Sequence, residues 1–225
     1  MSQIVIFGAG KVADVVHRHI AHAGTHDVVA FTTDAAHLPE SRTFSGKPVV
    51  AFEELAERFP PAQFDMIVAV GYHELNALRR EKYLAAKAKG YRLVSYVSPR
   101  AGVGDWLEMG DNCIILDHAV IEPGVRLGNN VVVWSGVLVG HHTTIDDHAW
   151  IAGQAVFGGS AHLGERSFVG LGAVIGHEVD LGEETVIGAG ALVTKCADPK
   201  AVFIEQNTTQ FRLDSERFLK ISKLR

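Results

Sequence analysis

Six of the chain's twelve histidines fall between residues 118 and 177: His118, His141, His142, His148, His162 and His177. Imidazole titrates near neutral pH, so such a set offers a general base, metal ligands or solvated surface groups. The spacings of transferable zinc motifs, H-E-x-x-H or paired C-x-x-C, are absent. A metal reading therefore needs three imidazoles converging at a subunit interface. Neither Cys113 nor Cys196 sits beside a credible base, and two cysteines do not make a disulfide framework. A second chemical signal opens the chain. Gly8-Ala9-Gly10-Lys11-Val12-Ala13 fits G-x-G-x-x-A, a turn where backbone can approach a phosphate at a helix N-terminus. A plain strand–helix turn needs glycine too.

The elements that must hold these groups are of two kinds. Up to residue 96, apolar runs alternate with helical patterns: residues 3–10, a helix from Lys11 to about Ala23, then 27–34 and 48–52. A helix near 53–58, a run at 65–71, a helix from about His73 to Lys89, and 93–97 complete the series. This alternation predicts a Rossmann-like parallel sheet with helical crossovers. Ligands of such sheets sit beyond the carboxyl ends of the strands. That rule nominates Gly8, Gly10, Asp34, Tyr72 and His73 as substrate contacts, with Asp34 placed to bond a ribose hydroxyl. The segment holds little more than one mononucleotide-binding half, which favours a nucleotide or nucleotide-sugar over NAD.

From Val97 the sequence keeps a six-residue period. All 17 leading residues, from Val97 to Val193, are apolar, and the position after them is glycine in ten. The residue four after each leader is small or apolar, with Leu107 the bulkiest. This register predicts a parallel β-helix of three hexads per coil, with leaders and small residues stacked inward and glycines serving the corners. Three domains follow: 1–96, the prism 97–198, and a C-terminal segment 199–225, amphipathic from about Ser215 to Leu224. The first is expected to cover one end of the prism and the last the other. Stacking puts His141, Gly159 and His177 on one edge, one coil apart. A histidine base below a glycine backbone N–H is a workable acyl-transfer site. His142, Ser160 and Glu178 form the adjacent stack.

The hexads, the Gly-Ala-Gly α/β domain and the corner histidines of residues 139–151 together resemble the left-handed β-helix sugar acyltransferases. The closest likeness is to the amino-sugar N-acetyltransferases and sialic acid O-acetyltransferases of the PglD/NeuD type. The resemblance implies an α/β domain followed by a left-handed parallel β-helix. It implies acetyl-CoA as co-substrate, a nucleotide-activated amino sugar as acceptor, and a homotrimer with acyl-CoA wedged between prisms. His141 then matches the general base and Gly159 the oxyanion donor. Gly159, Gly172, Gly190 and Lys195 are the expected acyl-CoA contacts, and His142 and His148 the expected substrate-side residues. Two departures stand out. The family places a carboxylate after the base where this chain has His142, so Asp146, Asp147 or an acid from a neighbouring subunit is expected to orient His141. Some relatives carry a histidine near the sugar where Val12 stands, which leaves Gly10, Asp34 and the region from Tyr72 and His73 to Asn76 as the expected nucleotide-sugar contacts. Sugar O-acetylation, a zinc hydrolase and a non-catalytic binding protein remain alternatives on this fold.

Composition bounds the rest. The net charge of −5 gives no general pull toward nucleic acid. No apolar stretch is long enough for a membrane span, and the first residues do not read as a signal peptide, so a cytoplasmic protein is expected. Residues 97–198 carry four Lys/Arg against 13 Asp/Glu. An acidic prism needs help to hold a coenzyme A pyrophosphate, and Lys195 with Lys200 is the expected source.

Overall fold

The first apolar run becomes a strand covered on both faces. β1 (Gln3–Phe7) buries Ile4, Val5, Ile6 and Phe7 in succession, the mark of a central parallel strand. In the computed structural model, which describes residues 2–222, β1 lies between β2 (Asp27–Thr33) and β5 (Asp65–Val68), both parallel to it. β3 (Thr43–Phe44) and β4 (Lys47–Ala51) extend the far side, giving the order β3-β4-β2-β1-β5. Helix α1 (Lys11–Ala23) buries Ala13, Val16 and Ile20 on one face and stops at Gly24, whose left-handed φ of 63° lets its N–H cap Ile20. Helix α2 spans Leu55–Arg58 and α3 spans Ala77–Ala88. α3 starts later than the apolar pattern predicts, because Glu74, Leu75 and Asn76 all adopt positive φ. The run 93–97 is also divided. Leu93 bridges Met66 of the sheet, whereas Tyr96–Val97 pairs with Ile114–Ile115 and forms the first rung of the prism.

The hexads build a three-sided prism without a register slip. Leu138, Val156, Val174 and Leu192 pair in sequence, each 18 residues from the last. The faces hold seven, five and five rungs. Inside, Ile115, Val133, Ile151, Val169 and Ile187 stack fully buried. The repeated glycines are not where the backbone turns left-handed, which corrects the simple corner expectation. The left-handed residue comes two positions later, at every sixth residue from Asn112 to Gly190. It accepts Asn, His, Gln, Ser, Arg and Glu as well as glycine. The repeated glycines answer a different demand, close approach of the neighbouring coil. A Cβ on Gly140 would lie 2.8 Å from the Gly159 nitrogen, and one on Gly164 would lie 2.4 Å from the Glu183 nitrogen.

The α/β domain docks on the prism wall rather than on its end. Ile114, Val132 and Trp150 point outward from the seven-rung face into one buried cluster with Ile4, Ile6, Ala13 and Val16. An apolar face this large is cheaper to bury than to solvate. α3 lies along the next corner as a clamp. There Asn112 bonds both polar backbone groups of Val68, at 2.7 and 3.2 Å. Arg79, fully buried, donates to the carbonyls of Asn130, His148 (2.6 Å) and Ala149 (3.1 Å). At the C-terminus, Val202–Phe203 forms the last rung and Phe203 packs on the core. Helix α4 (Ser215–Ile221) leaves all its described side chains exposed, so it does not cap the prism; Leu224 lies outside the described residues.

Candidate active site

The prism register brings His141, Gly159, His177 and Lys195 into one corner column, because the rungs preceding them pair at 18-residue steps. A Cβ on Gly159 would fall 2.5 Å from both Nε2 and Cε1 of His141. The imidazole thus lies directly against that stretch of backbone, and only glycine leaves it room. Among the described residues, the Gly159 N–H makes no hydrogen bond, while its carbonyl accepts from the next coil. The corresponding N–H of His141 is not free: Glu122 accepts it at 2.9 Å. The His177 ring centre is 6.2 Å from that of His141, and its Nε2 is 3.3 Å from Glu178. An exposed imidazole, an unpaired amide beside it and a cation further along the column are what base-assisted acyl transfer requires.

The imidazole is oriented by its neighbour in sequence. Nδ1 of His142 lies 3.1 Å from Nδ1 of His141. His142, expected among the sugar contacts, is therefore turned toward the base. Neither Asp146 nor Asp147 serves that purpose. Asp146 bonds His162 at 2.9 Å, and Asp147 accepts from the Asn129 amide N–H at 2.7 Å. His162 also bonds Asp180 at 2.6 Å. Partial burial works against its charge, yet the Asp180 and Asp146 bonds outweigh that and raise its pKa. His118 is exposed at a different corner.

Two expected substrate contacts are corrected. Asn76 is fully buried and spends its amide N–H groups on the carbonyls of Arg166 and Ser167, both at 3.1 Å. His148 is buried beneath α3, with Nδ1 accepting from Asn130 at 2.9 Å and the Tyr83 ring 5.2 Å away. Burial pushes its pKa down to about 4. Both residues fasten the two domains together. The expected acyl-CoA contacts also separate. Gly172 and Gly190 have open space above their Cα atoms but lie at the corner across a five-rung face from His141. Lys200 sits at the third corner, 3.9 Å from Glu184, and does not join Lys195.

A cleft of about 520 Å³ opens at the carboxyl ends of β1, β2 and β5, lined by Gly8, Gly10, Lys11, Val12, Asp34 and His73 among others. The two glycines differ. Gly8 has φ 124° and a Cβ there would strike the Ala69 carbonyl at 2.8 Å, so the fold itself demands it. Gly10 has an ordinary φ of −116° and nothing within 4 Å of an added Cβ. Its openness fits a ligand approaching the uncapped start of α1. Lys82 lines the same cleft and reaches Asp34 at 2.9 Å. Burial opposes its charge, but the bonds to Glu81 and Asp34 hold its pKa above the usual lysine range. Sequence reading missed this cation, since it lies on α3, 48 residues from its partner. Tyr72 faces elsewhere, into an apolar groove of about 420 Å³ with Trp134, Trp150, Phe168 and Leu171. Among the described residues, no helix is long and apolar enough to cross a membrane.

Residues 3–85 match the family model of the PglD N-terminal domain. Residues 107–141 match the bacterial transferase hexapeptide model, and residues 161–195 the hexapeptide repeat of succinyl-transferase. No curated protein matches the sequence. Among solved structures, the acetyltransferase domain of PglB from Neisseria gonorrhoeae, in complex with acetyl coenzyme A, has a TM-score of 0.79 and 26% identity; the match covers 89% of this chain and 94% of that one. PerB from Caulobacter crescentus, in complex with CoA and GDP-perosamine, has a TM-score of 0.80 and 24% identity over 90% of this chain and 93% of its own. WeeI from Acinetobacter baumannii has a TM-score of 0.76 and 20% identity over 89% and 96%. The last two likenesses are of fold. The PglD-type N-terminal domain, two stretches of transferase hexapeptides and the PglB match across both domains make this chain an acyltransferase built on the left-handed β-helix fold behind a PglD-type N-terminal domain.

Proposed function

We propose that the chain transfers an acetyl group from acetyl-CoA to the amino group of a nucleotide-linked aminodeoxy sugar. The observation that carries this reading is the His141 imidazole lying against the Gly159 backbone, whose N–H makes no hydrogen bond. The nucleotide binds in the cleft at Gly8, Gly10 and Asp34, with Lys82 as an added cation. The sugar amine attacks the thioester carbonyl, and His141 Nε2 takes the amine proton. The Gly159 N–H stabilises the oxyanion. Collapse breaks the carbon–sulfur bond, and the imidazolium returns its proton to the thiolate. No acyl-enzyme is needed.

Lys195 stands three coils from His141 on the same column, about 14 Å at strand spacing. That suits a pantetheine arm running along the edge with its pyrophosphate near the cation. PglB binds acetyl coenzyme A, and PerB binds CoA with GDP-perosamine, which supports the same pair of substrate classes here. A homotrimer is favoured by the outward column Val120, Leu138, Val156, Val174 and Leu192 on one five-rung face. Leu192 is 67% exposed in the single chain, and burial against a second prism would cover it. A cytoplasmic site of action follows from the co-substrate. The test is product analysis after incubation with acetyl-CoA and a panel of nucleotide-linked amino sugars. The reading expects a hydroxylamine-stable product one acetyl heavier. A hydroxylamine-labile product would move the assignment to O-acetylation.

A further inference from the structure

We propose that His142 is the positioning residue of the base, and that the His141–His142 pair must be free of excess protons at both rings before transfer begins. This rests on the reading of His141 as general base. The two Nδ1 atoms are 3.1 Å apart with the rings 79° from coplanar, so one nitrogen donates and the other accepts. Each ring is seated on a different coil. His142 lies against Gly124, where an added Cβ would meet its Cδ2 at 2.8 Å, while His141 lies against Gly159. Glu122 fixes the intervening backbone through the His141 N–H. The other titratable groups facing the pair are His177 and, beyond it, Glu178. Among the described residues, no carboxylate bonds either ring; Glu122 takes the His141 backbone N–H and Glu178 faces His177.

That difference has a chemical consequence. For Nε2 of His141 to take a proton, its other proton must sit on Nδ1 and be accepted by His142. A carboxylate accepts at any pH above its own titration. An imidazole accepts only while its Nδ1 is bare. Place one proton on His142, and its Nδ1–H points at His141, which must then hold its own proton on Nε2. Place that proton on His141 instead, and the base is already spent. One proton therefore silences the pair wherever it resides, and a second can still add. Activity follows the fully neutral pair, so its acid limb falls with the square of proton concentration at the low end. With a carboxylate partner it falls with the first power.

The test compares wild type with His142→Glu and His142→Ala, using acetyl-CoA and the accepted amino sugar. Glutamate already occupies the same left-handed corner position at Glu178 and Glu184, so the corner accommodates it. The substrate amine's ionisation is common to all variants and cancels in ratios. The ratio of kcat/KM for His142→Glu over wild type is expected to rise about tenfold per pH unit at the acidic end. His142→Ala is expected to lower kcat by about 10–100-fold with KM for both substrates nearly unchanged. Parallel acid limbs for wild type and His142→Glu, or full kcat in His142→Ala, would overturn the proposal. If His141→Asn retains wild-type turnover, the base assignment itself fails; if it is inactive while His142→Ala keeps full kcat, only the role of His142 fails.

Discussion

Gly159→Ala isolates the contact on which the site depends. The added Cβ would stand 2.5 Å from His141 Nε2 and Cε1 and 2.9 Å from Nδ1. Ordinary contact begins near 3.4 Å, so the ring must retreat by roughly 1 Å or rotate away. A displacement of about 1 Å in a reacting group costs on the order of 100-fold in rate. The ring is exposed and free to move outward, so folding should survive with little change in Tm. The assay is acetyl-CoA-dependent thiol release at saturating acceptor, alongside thermal unfolding. The expected result is a kcat lowered by about 100-fold at near-native Tm. Wild-type kcat in a folded Gly159→Ala protein would refute the claim that the imidazole works against this backbone.

Gly10→Ala should fold normally, because its φ is ordinary and its surroundings are open, yet lose roughly tenfold in nucleotide affinity by calorimetry if a phosphate approaches there. Arg79→Met removes the donor shared by three buried carbonyls and should destabilise the protein by about 2–4 kcal/mol in urea unfolding. His162, with its pKa raised by Asp180 and Asp146, binds its proton more tightly folded than unfolded. Its contribution is full below the ordinary histidine range and fades as pH rises through the raised value. The Tm gap between wild type and His162→Gln should therefore shrink from pH 5 to pH 9. A gap that does not vary with pH would contradict the ion pairing.

Much of this was legible in the sequence, for a definite reason. A hexad fixes both which residues point inward and what stacks on what, so 141, 159 and 177 could be placed on one edge by addition. The parallel α/β pattern was equally plain, since buried strands must be continuously apolar. What escaped were contacts between distant segments. Nothing local marks Asn76 as a ligand of the Arg166 carbonyl, or Lys82 as the partner of Asp34. His148 was expected on the substrate side because its place in the hexad points outward from the prism; α3 buries it. The glycine excess misled in part. Its periodicity marked the corners correctly, but the cause is the nearness of the next coil, not backbone handedness. Docking of the α/β domain on the wall rather than the end was also missed, because outward Ile114, Val132 and Trp150 are spread over three coils and only the folded prism gathers them into one apolar face.

The most direct measurement is CoA-thiol release by wild type and His141→Asn with acetyl-CoA and nucleotide-linked amino sugars. The account predicts release that depends on the amino sugar and falls at least about 100-fold in His141→Asn, with substrate binding retained. Equal release by the two proteins, or release that ignores the acceptor, would contradict it.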